Sequence, residues 1–359
     1  MTPLLQRIGI RLAIIQAPMA GTSTPQLAAA VTNAGGLGSI SLGSVDVAGA
    51  RDMLAALRRL TGGPVNVNLF CHRPARAHPD REAGWLAALA PEFARFGSHP
   101  PERIGEIYRS LVADPEMLGA VLEARPAVVS FHFGLPPQDA IDRLKATGAV
   151  LLSTATSLAE GEAAVRAGVD AVVAQGWEAG GHRGVFDPTA NDAQLGAAPL
   201  TRLLVTRLPV PVIAAGGLMD GAGVAAVLAL GAAAAQLGTA FVGCPESGAD
   251  ASHRAALFGS GASATEMTSL ISGRPARCLA NSFTRLKAGP LGQAPPPDYP
   301  IAYDAGKALA AAARSKGDGG YGAHWAGQGA PLARPLPAAD LMATLAGELA
   351  EARTTLLRA

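Results

Sequence analysis

The chain is expected to fold as an α/β protein, a (β/α)8 TIM barrel with a smaller, mainly helical capping domain. Three observations predict this. Eight short apolar runs alternate with helix-like segments, as in a parallel sheet that closes on itself. The runs end in glycine or polar residues, and strand ends are where a barrel keeps its working groups. The 359 residues also exceed the ~250 of one barrel, which leaves material for a second unit.

The runs, in order, are AIIQAPMAG (13–21), GLGSIS (36–41), PVNVNLF (64–70), AVVSFHFG (127–134), AVLLSTAT (149–156), DAVVAQG (170–176), PVIAAGG (211–217) and AAAQLGT (233–239). After the first, Thr24 is placed to cap a helix, Pro25 suits its first turn and Gly35 its end. From Gly221 to Pro245 no charge appears, long enough for the ~20 residues of a membrane span. Gln236, Thr239 and five glycines argue instead for an Ala-rich helix near 223–230, capped by Asp220, and a short buried strand. Two stretches break the rhythm, 71–126 and everything after 244. The expected organisation is therefore a barrel from 1–70 and 127–244, a mainly helical cap from 71–126 and 245–316, and a segment 317–359 returning to the barrel. Residues 289–300, GPLGQAPPPDYP, are too Pro-rich for a helix and read as an ordered loop or linker.

Composition excludes several partners. Net charge is +1 and no five like charges run together, so neither nucleic acid nor an anionic membrane is indicated. Cys71, Cys244 and Cys278 have no metal-ligand spacing and are odd in number, which suits buried thiols in a reducing cytoplasm. The first residues show no export signal. The seven histidines form no HxxxH, so no metal is expected.

Barrels commonly bind phosphate in the loops after their seventh and eighth strands, and here those loops carry AAGGLMDG and QLGTAF. Glycine pairs alone mark only tight turns. At these two positions Gly216, Gly217, Gly238 and Thr239 are expected to cradle a phosphate, with the following helix adding its dipole. Gln175 ends the sixth run, Gly180 and Gly181 bring backbone close to a ligand, and His182 and Arg183 follow on the same loop. Asn68 adds a second neutral amide at the mouth. Neutral amides beside glycine turns suit a planar heterocycle bearing a phosphate.

The combination of APMAGTSTPQLAAAVTNAGGLG, VNVNLF, SFHFGLP, QGWEAGGHRG, AAGGLMDG, QLGTAF and WAGQGAPLAR resembles the class I nitronate monooxygenases over about residues 13–337. The resemblance implies FMN as cofactor, held by Pro18, Met19, Ala20, Asn68, Gln175, Gly180, Gly181, His182, Gly216, Gly217, Gln236, Leu237, Gly238 and Thr239. It implies oxidation of alkyl nitronates, propionate 3-nitronate first among them, by dioxygen. It makes His132, at the end of the fourth run, the catalytic residue: a base towards neutral nitroalkanes and a polar partner of a bound nitronate. His182 is expected to support the flavin or its phosphate. Tyr299, Tyr303 and Lys307 stand four apart, so Tyr303 and Lys307 share a face of a helix from about Ile301. The resemblance puts them, with Tyr108, around the substrate. His253 matches no family position. Glu178 reads as a brace for its loop, and Trp177 and Trp325 as interface filling. A flavin-dependent NAD(P)H reductase acting on quinones or enoyl thioesters, or a non-catalytic flavin-binding protein, shares the same barrel logic and stays open at this point.

Overall fold

The computed structural model describes residues 2–358. Eight parallel strands form the main sheet: β1 (Ile14–Gln16), β2 (Gly38–Ser41), β3 (Val65–Phe70), β4 (Val128–His132), β5 (Val150–Ala155), β6 (Ala171–Gln175), β8 (Val212–Ala215) and β9 (Ala234–Leu237). The missing number belongs to β7 (Gly181–His182), a two-residue strand in the loop after β6. Strand order is β1-β9-β8-β6-β5-β4-β3-β2, and a parallel bridge between Ile15 and Leu37 brings the two edges together into a near-closed barrel. All eight expected strands are present, each inside its predicted run.

Helix ends follow local chemistry. Thr24 accepts from the Leu27 N–H at 3.0 Å and starts the helix Pro25–Asn33, and Asp220 accepts from Gly223 at 2.7 Å and starts the helix Gly221–Ala229. No described helix is long and apolar enough to cross a membrane. An unanticipated helix, Pro3–Ile8, inserts Leu4, Leu5 and Ile8 among Val150, Leu152, Val173 and Ile213. The helix Ala338–Arg358 returns to the barrel, burying Leu341, Met342, Leu345 and Leu349 with Leu27 and Val31 of one helix and Val224 and Val227 of another. At about 1.5–3 kcal/mol for each fully buried large apolar side chain, this is a substantial clasp.

The material outside the barrel differs from expectation in two ways. Strands β10 (Thr265–Thr268) and β11 (Ala276–Leu279) pair antiparallel, and β11 also pairs with β7, so the region is not helical throughout. Residues 289–300 include one helical turn, Pro290–Gln293, because a proline is tolerated at the first position of a helix. Trp85, Leu89 and Phe93 of the helix Pro79–Arg95 share one apolar cluster with Ile271, Cys278, Phe283, Ile301 and Leu309, which unites the two interrupting stretches.

Candidate active site

The carboxyl ends of the barrel strands open into a cavity of about 600 Å³. Of the nineteen residues singled out from the sequence for cofactor, substrate or catalysis, all but Leu237 line it. Side chains alternate along a strand, so when Gln236 faces the cavity Leu237 turns outward, and it is buried in the apolar cluster beneath the C-terminal helix.

One end of the cavity is backbone. Gly216 and Gly217 have φ of +119° and +70°, conformations that a residue with a Cβ rarely adopts. A Cβ on Gly238 would touch Ala17 and Met19. The N–H groups of Gly216, Gly217 and Gly238 take no partner among the described residues, so three donors stand open along the part of the cavity wall where the sequence expects a phosphate. Of the two helices that follow these loops, Thr239–Val242 begins directly at Gly238 with no side-chain cap, whereas the helix at Gly221 is already engaged. Asp220 holds the Gly223 N–H and Glu348 the Gly221 N–H at 2.8 Å, so carboxylates already occupy that N-terminus. Pro18, Met19 and Ala20 form a wall fixed by Ser23, whose hydroxyl accepts from the Met19 N–H at 2.8 Å.

The two expected amides are largely engaged with protein. Gln175 donates to the His182 carbonyl at 3.0 Å and accepts from the Gly184 N–H at 2.7 Å. Asn68 donates to Ser130 and accepts from the Ser41 hydroxyl at 3.2 Å. Each keeps a lone pair and Gln175 keeps an N–H, while the Gln236 amide, also at the cavity, has no protein partner among the described residues. Arg183 does not face the cavity. It is buried, grips Asp192 through Nε at 2.7 Å and Nη2 at 3.0 Å, and ties down the loop after β6. Glu178 braces the same loop by accepting from the Ala197 N–H at 2.8 Å. Trp177 packs against both Arg183 and Arg277, whereas Trp325 lines the cavity beside His182.

The other end is aromatic and basic. His132 Nδ1 lies 3.0 Å from the Thr154 hydroxyl and Nε2 lies 3.3 Å from the His182 carbonyl. A carbonyl only accepts, so Nε2 carries the proton and Nδ1 accepts from Thr154, which commits both nitrogens. His182 differs. Its Nε2 meets the Ser272 hydroxyl at 2.9 Å, and that hydroxyl donates onward to the Arg274 carbonyl, which leaves the lone pair on Nδ1. Nδ1 has no protein partner among the described residues, and the ring lines the cavity. Burial, aided by the positive charge of Arg274, pulls His132 down to about 4; burial, His132 and Arg274 pull His182 down to about 3. Both imidazoles are neutral at physiological pH.

Tyr299 and Tyr303 flank His182 with ring centroids 5.3 and 6.1 Å away, and Lys307 Nζ stands 4.7 Å from the Tyr108 ring and 5.5 Å from that of Tyr303. The helix Ile301–Arg314 carries Tyr303 and Lys307 on one face, as the spacing predicts. Burial raises the Tyr108 phenol to about 12 and Tyr299 and Tyr303 further, so all three remain hydrogen-bond donors.

Sequence reasoning passed over Phe133, whose signal lay in the SFHFG run itself. Its φ of +72° is left-handed, a conformation costing about 1–3 kcal/mol in a bulky residue. Its ring packs 4.3 Å from His132, 5.4 Å from Tyr299 and 5.6 Å from His182. Arg274 and His72, both buried against Phe133, also went unremarked; no motif surrounds them. His253 lies elsewhere, stacked on His324 with centroids 5.2 Å apart. Among the described residues no group of His, Cys, Asp and Glu is arranged to hold a metal.

The chain matches the nitronate monooxygenase family over residues 1–348. It is 59% identical over 346 residues to a nitronate monooxygenase of Paraburkholderia phytofirmans, covering 96% of this chain and 94% of that one. Against a nitronate monooxygenase of Pseudomonas aeruginosa it is 54% identical, covering 95% and 97%. In three dimensions it is similar to a nitroalkane oxidase from Streptomyces ansochromogenes, with TM-score 0.90, 41% identity and coverage of 99% and 100%. FabK from Thermotoga maritima is more distant, with TM-score 0.75, 28% identity and coverage of 99% and 98%.

Proposed function

The chain belongs to the nitronate monooxygenase family and is an oxidoreductase, and from that premise we propose that it uses FMN and dioxygen to oxidise alkyl nitronates, propionate 3-nitronate foremost, to a carbonyl compound with release of nitrite or nitrate. The observation that carries this reading is one cavity with three unpaired glycine N–H groups at one end and an imidazole, phenols and an ammonium at the other.

The residues suit FMN. Gly216, Gly217, Gly238 and Thr239 would hold its phosphate, and Asn68, Gln175 and Gln236 have the amide capacity left for ring heteroatoms. When bound, FMN supplies the electron acceptor that the oxidation needs. Around it the chain binds and orients. Lys307 and the protonated phenols of Tyr108, Tyr299 and Tyr303 attract and position an anion. His132, with its Nε2–H turned to the His182 carbonyl, fixes that loop and offers the anion a neutral polar wall. The base role that the resemblance gives His132 passes in this reading to His182, whose Nδ1 lone pair is open. A proton taken there from a neutral nitroalkane leaves an imidazolium beside the nitronate it has formed, a charge pair that offsets the low basicity of the buried ring. Residues 71–126 and 245–316 act together as a cap on the substrate side, a reading supported by their common apolar cluster. Three buried free cysteines accord with a cytoplasmic location.

The test is anaerobic mixing of the yellow protein with propionate 3-nitronate. Rapid change of the flavin spectrum, followed under air by dioxygen uptake and nitrite, is expected, with slow or no bleaching by NADH or NADPH. Rapid bleaching by NADH with no response to nitronate would make the protein a reductase. Failure to bind added FMN would end the flavin reading altogether.

A further inference from the structure

Arg274 is 3% exposed, yet no carboxylate lies within 4.0 Å of it among the described residues. Its guanidinium carbon sits 4.3 Å from the centre of the Phe133 ring, one Nη donates to the Val185 carbonyl, and Nε has no partner. Glu160 and Asp187 oppose its charge from a distance, but each is engaged elsewhere: Glu160 with the Phe186 N–H at 2.7 Å and with Thr156, Asp187 with Thr189. An aromatic face holds a cation without cancelling its charge, as a carboxylate would. Phe133 in turn touches His132, His182, Tyr299 and Phe70, so the guanidinium lies one ring away from the aromatic end of the cavity.

We propose that Arg274 is a positioning residue: a fixed, buried cation, held on Phe133, whose field makes the aromatic end of the cavity select anions. The left-handed backbone at Phe133 is then the means by which that ring is held between the charge and the substrate. Supporting this, Arg274 is pulled down only to about 10 and stays cationic at neutral pH. His72, His132 and His182 all feel it, and no carboxylate ranks among the leading influences on any of them. Lys307 is a different device, an exposed charge that lines the cavity itself beside Tyr108. The inference rests on the reading of this end as a nitronate site and names what gives it its preference.

The experiment compares wild type with Arg274→Met and Arg274→Lys in the FMN-loaded protein, using nitrate as an inert planar anion and nitroethane as a neutral substrate. Arg274→Met is expected to weaken nitrate binding about tenfold, the scale of one charge seen through partly screened protein, while the KM for nitroethane is held within about twofold. Nitrogen-15 imidazole spectra should show His132 and His182 titrating closer to the ordinary histidine value. Unchanged nitrate affinity, or equal losses for anion and neutral substrate, would overturn the proposal. Should Arg274→Met not fold, Arg274→Lys replaces a permanent charge by one that burial makes titratable. Its nitrate affinity should then fall at lower pH than in the wild type, and an identical pH dependence would count against the idea. Nitrate binding and imidazole titration need no turnover. A protein that does not oxidise nitronate but discriminates anions according to the charge at 274 would leave this inference standing and remove the proposed activity.

Discussion

At its glycine end the cavity is walled by backbone, the glycines of two adjacent strand ends, whereas at its aromatic end it is walled by side chains delivered from stretches as distant as 108, 132, 182 and 303. The first kind of wall depends on the positive φ angles of Gly216 and Gly217, where a side chain is strained. The second depends on which hydrogen bond each ring nitrogen happens to make. A ligand's charged tail can be recognised by geometry that two short loops encode, but chemistry at its reactive end requires the whole fold to be in register.

Substitutions at the two ends should therefore fail differently. Gly216→Val, the most severe, puts a β-branched side chain at φ +119°, and the protein is expected to be isolated without bound flavin and without activity. A yellow Gly216→Val protein with wild-type FMN affinity would erase the distinction between the ends. His182→Asn should retain FMN but lose about 10²-fold or more in turnover of neutral nitroalkane, while pre-formed nitronate, already deprotonated, suffers much less. His132→Asn is expected to depress both substrates alike. The opposite assignment, with the selective loss in His132→Asn, would return the base role to His132.

Acid sharpens the same contrast, because three depressed imidazoles sit together at the aromatic end, His132 and His182 on the cavity wall and His72 behind Phe133 and Tyr299. Burial holds His72 and His132 near 4 and His182 near 3, below the ordinary 6.5, so in this range the unfolded chain binds protons that the folded one refuses. Stability is thus full above 6.5 and falls as the pH drops towards 4, by up to about 2 kcal/mol for each imidazole at pH 5. Thermal melts from pH 7 to 5 should show the loss, and the His182→Asn protein should show less of it. The smallest effect is expected from Lys307→Met, at the exposed rim: about a fivefold rise in KM for propionate 3-nitronate and none for nitroethane, read from initial rates.

The glycine-lined end of the cavity was legible because glycine spacing and strand–helix alternation are local properties, and the strand ends of a barrel have a known use. Leu237 was misplaced only by treating a run as a unit where the strand's two-residue period separates Gln236 from its neighbour. The hydrogen bonds of the two imidazoles were not legible. They turn on Thr154 and on Ser272, the latter 90 residues away from His182. Nor could Arg274 be read: its segment, SGRPARC, carries no motif, and its significance comes from Phe133 adopting a backbone conformation that only the assembled structure imposes.

The long helix Ala338–Arg358 has a consequence for how the protein is made. Its apolar face covers helices that flank the first and last barrel strands, yet it follows the end of β9 at Leu237 by about a hundred residues. At ordinary rates of translation the ribosome needs roughly 5–20 s to add that much chain. During that interval Leu27, Val31, Val224 and Val227 have no cover from this helix. The nascent barrel is thus sticky at its own seam for seconds, and a chaperone that shields the seam until the helix arrives would raise the yield of folded protein.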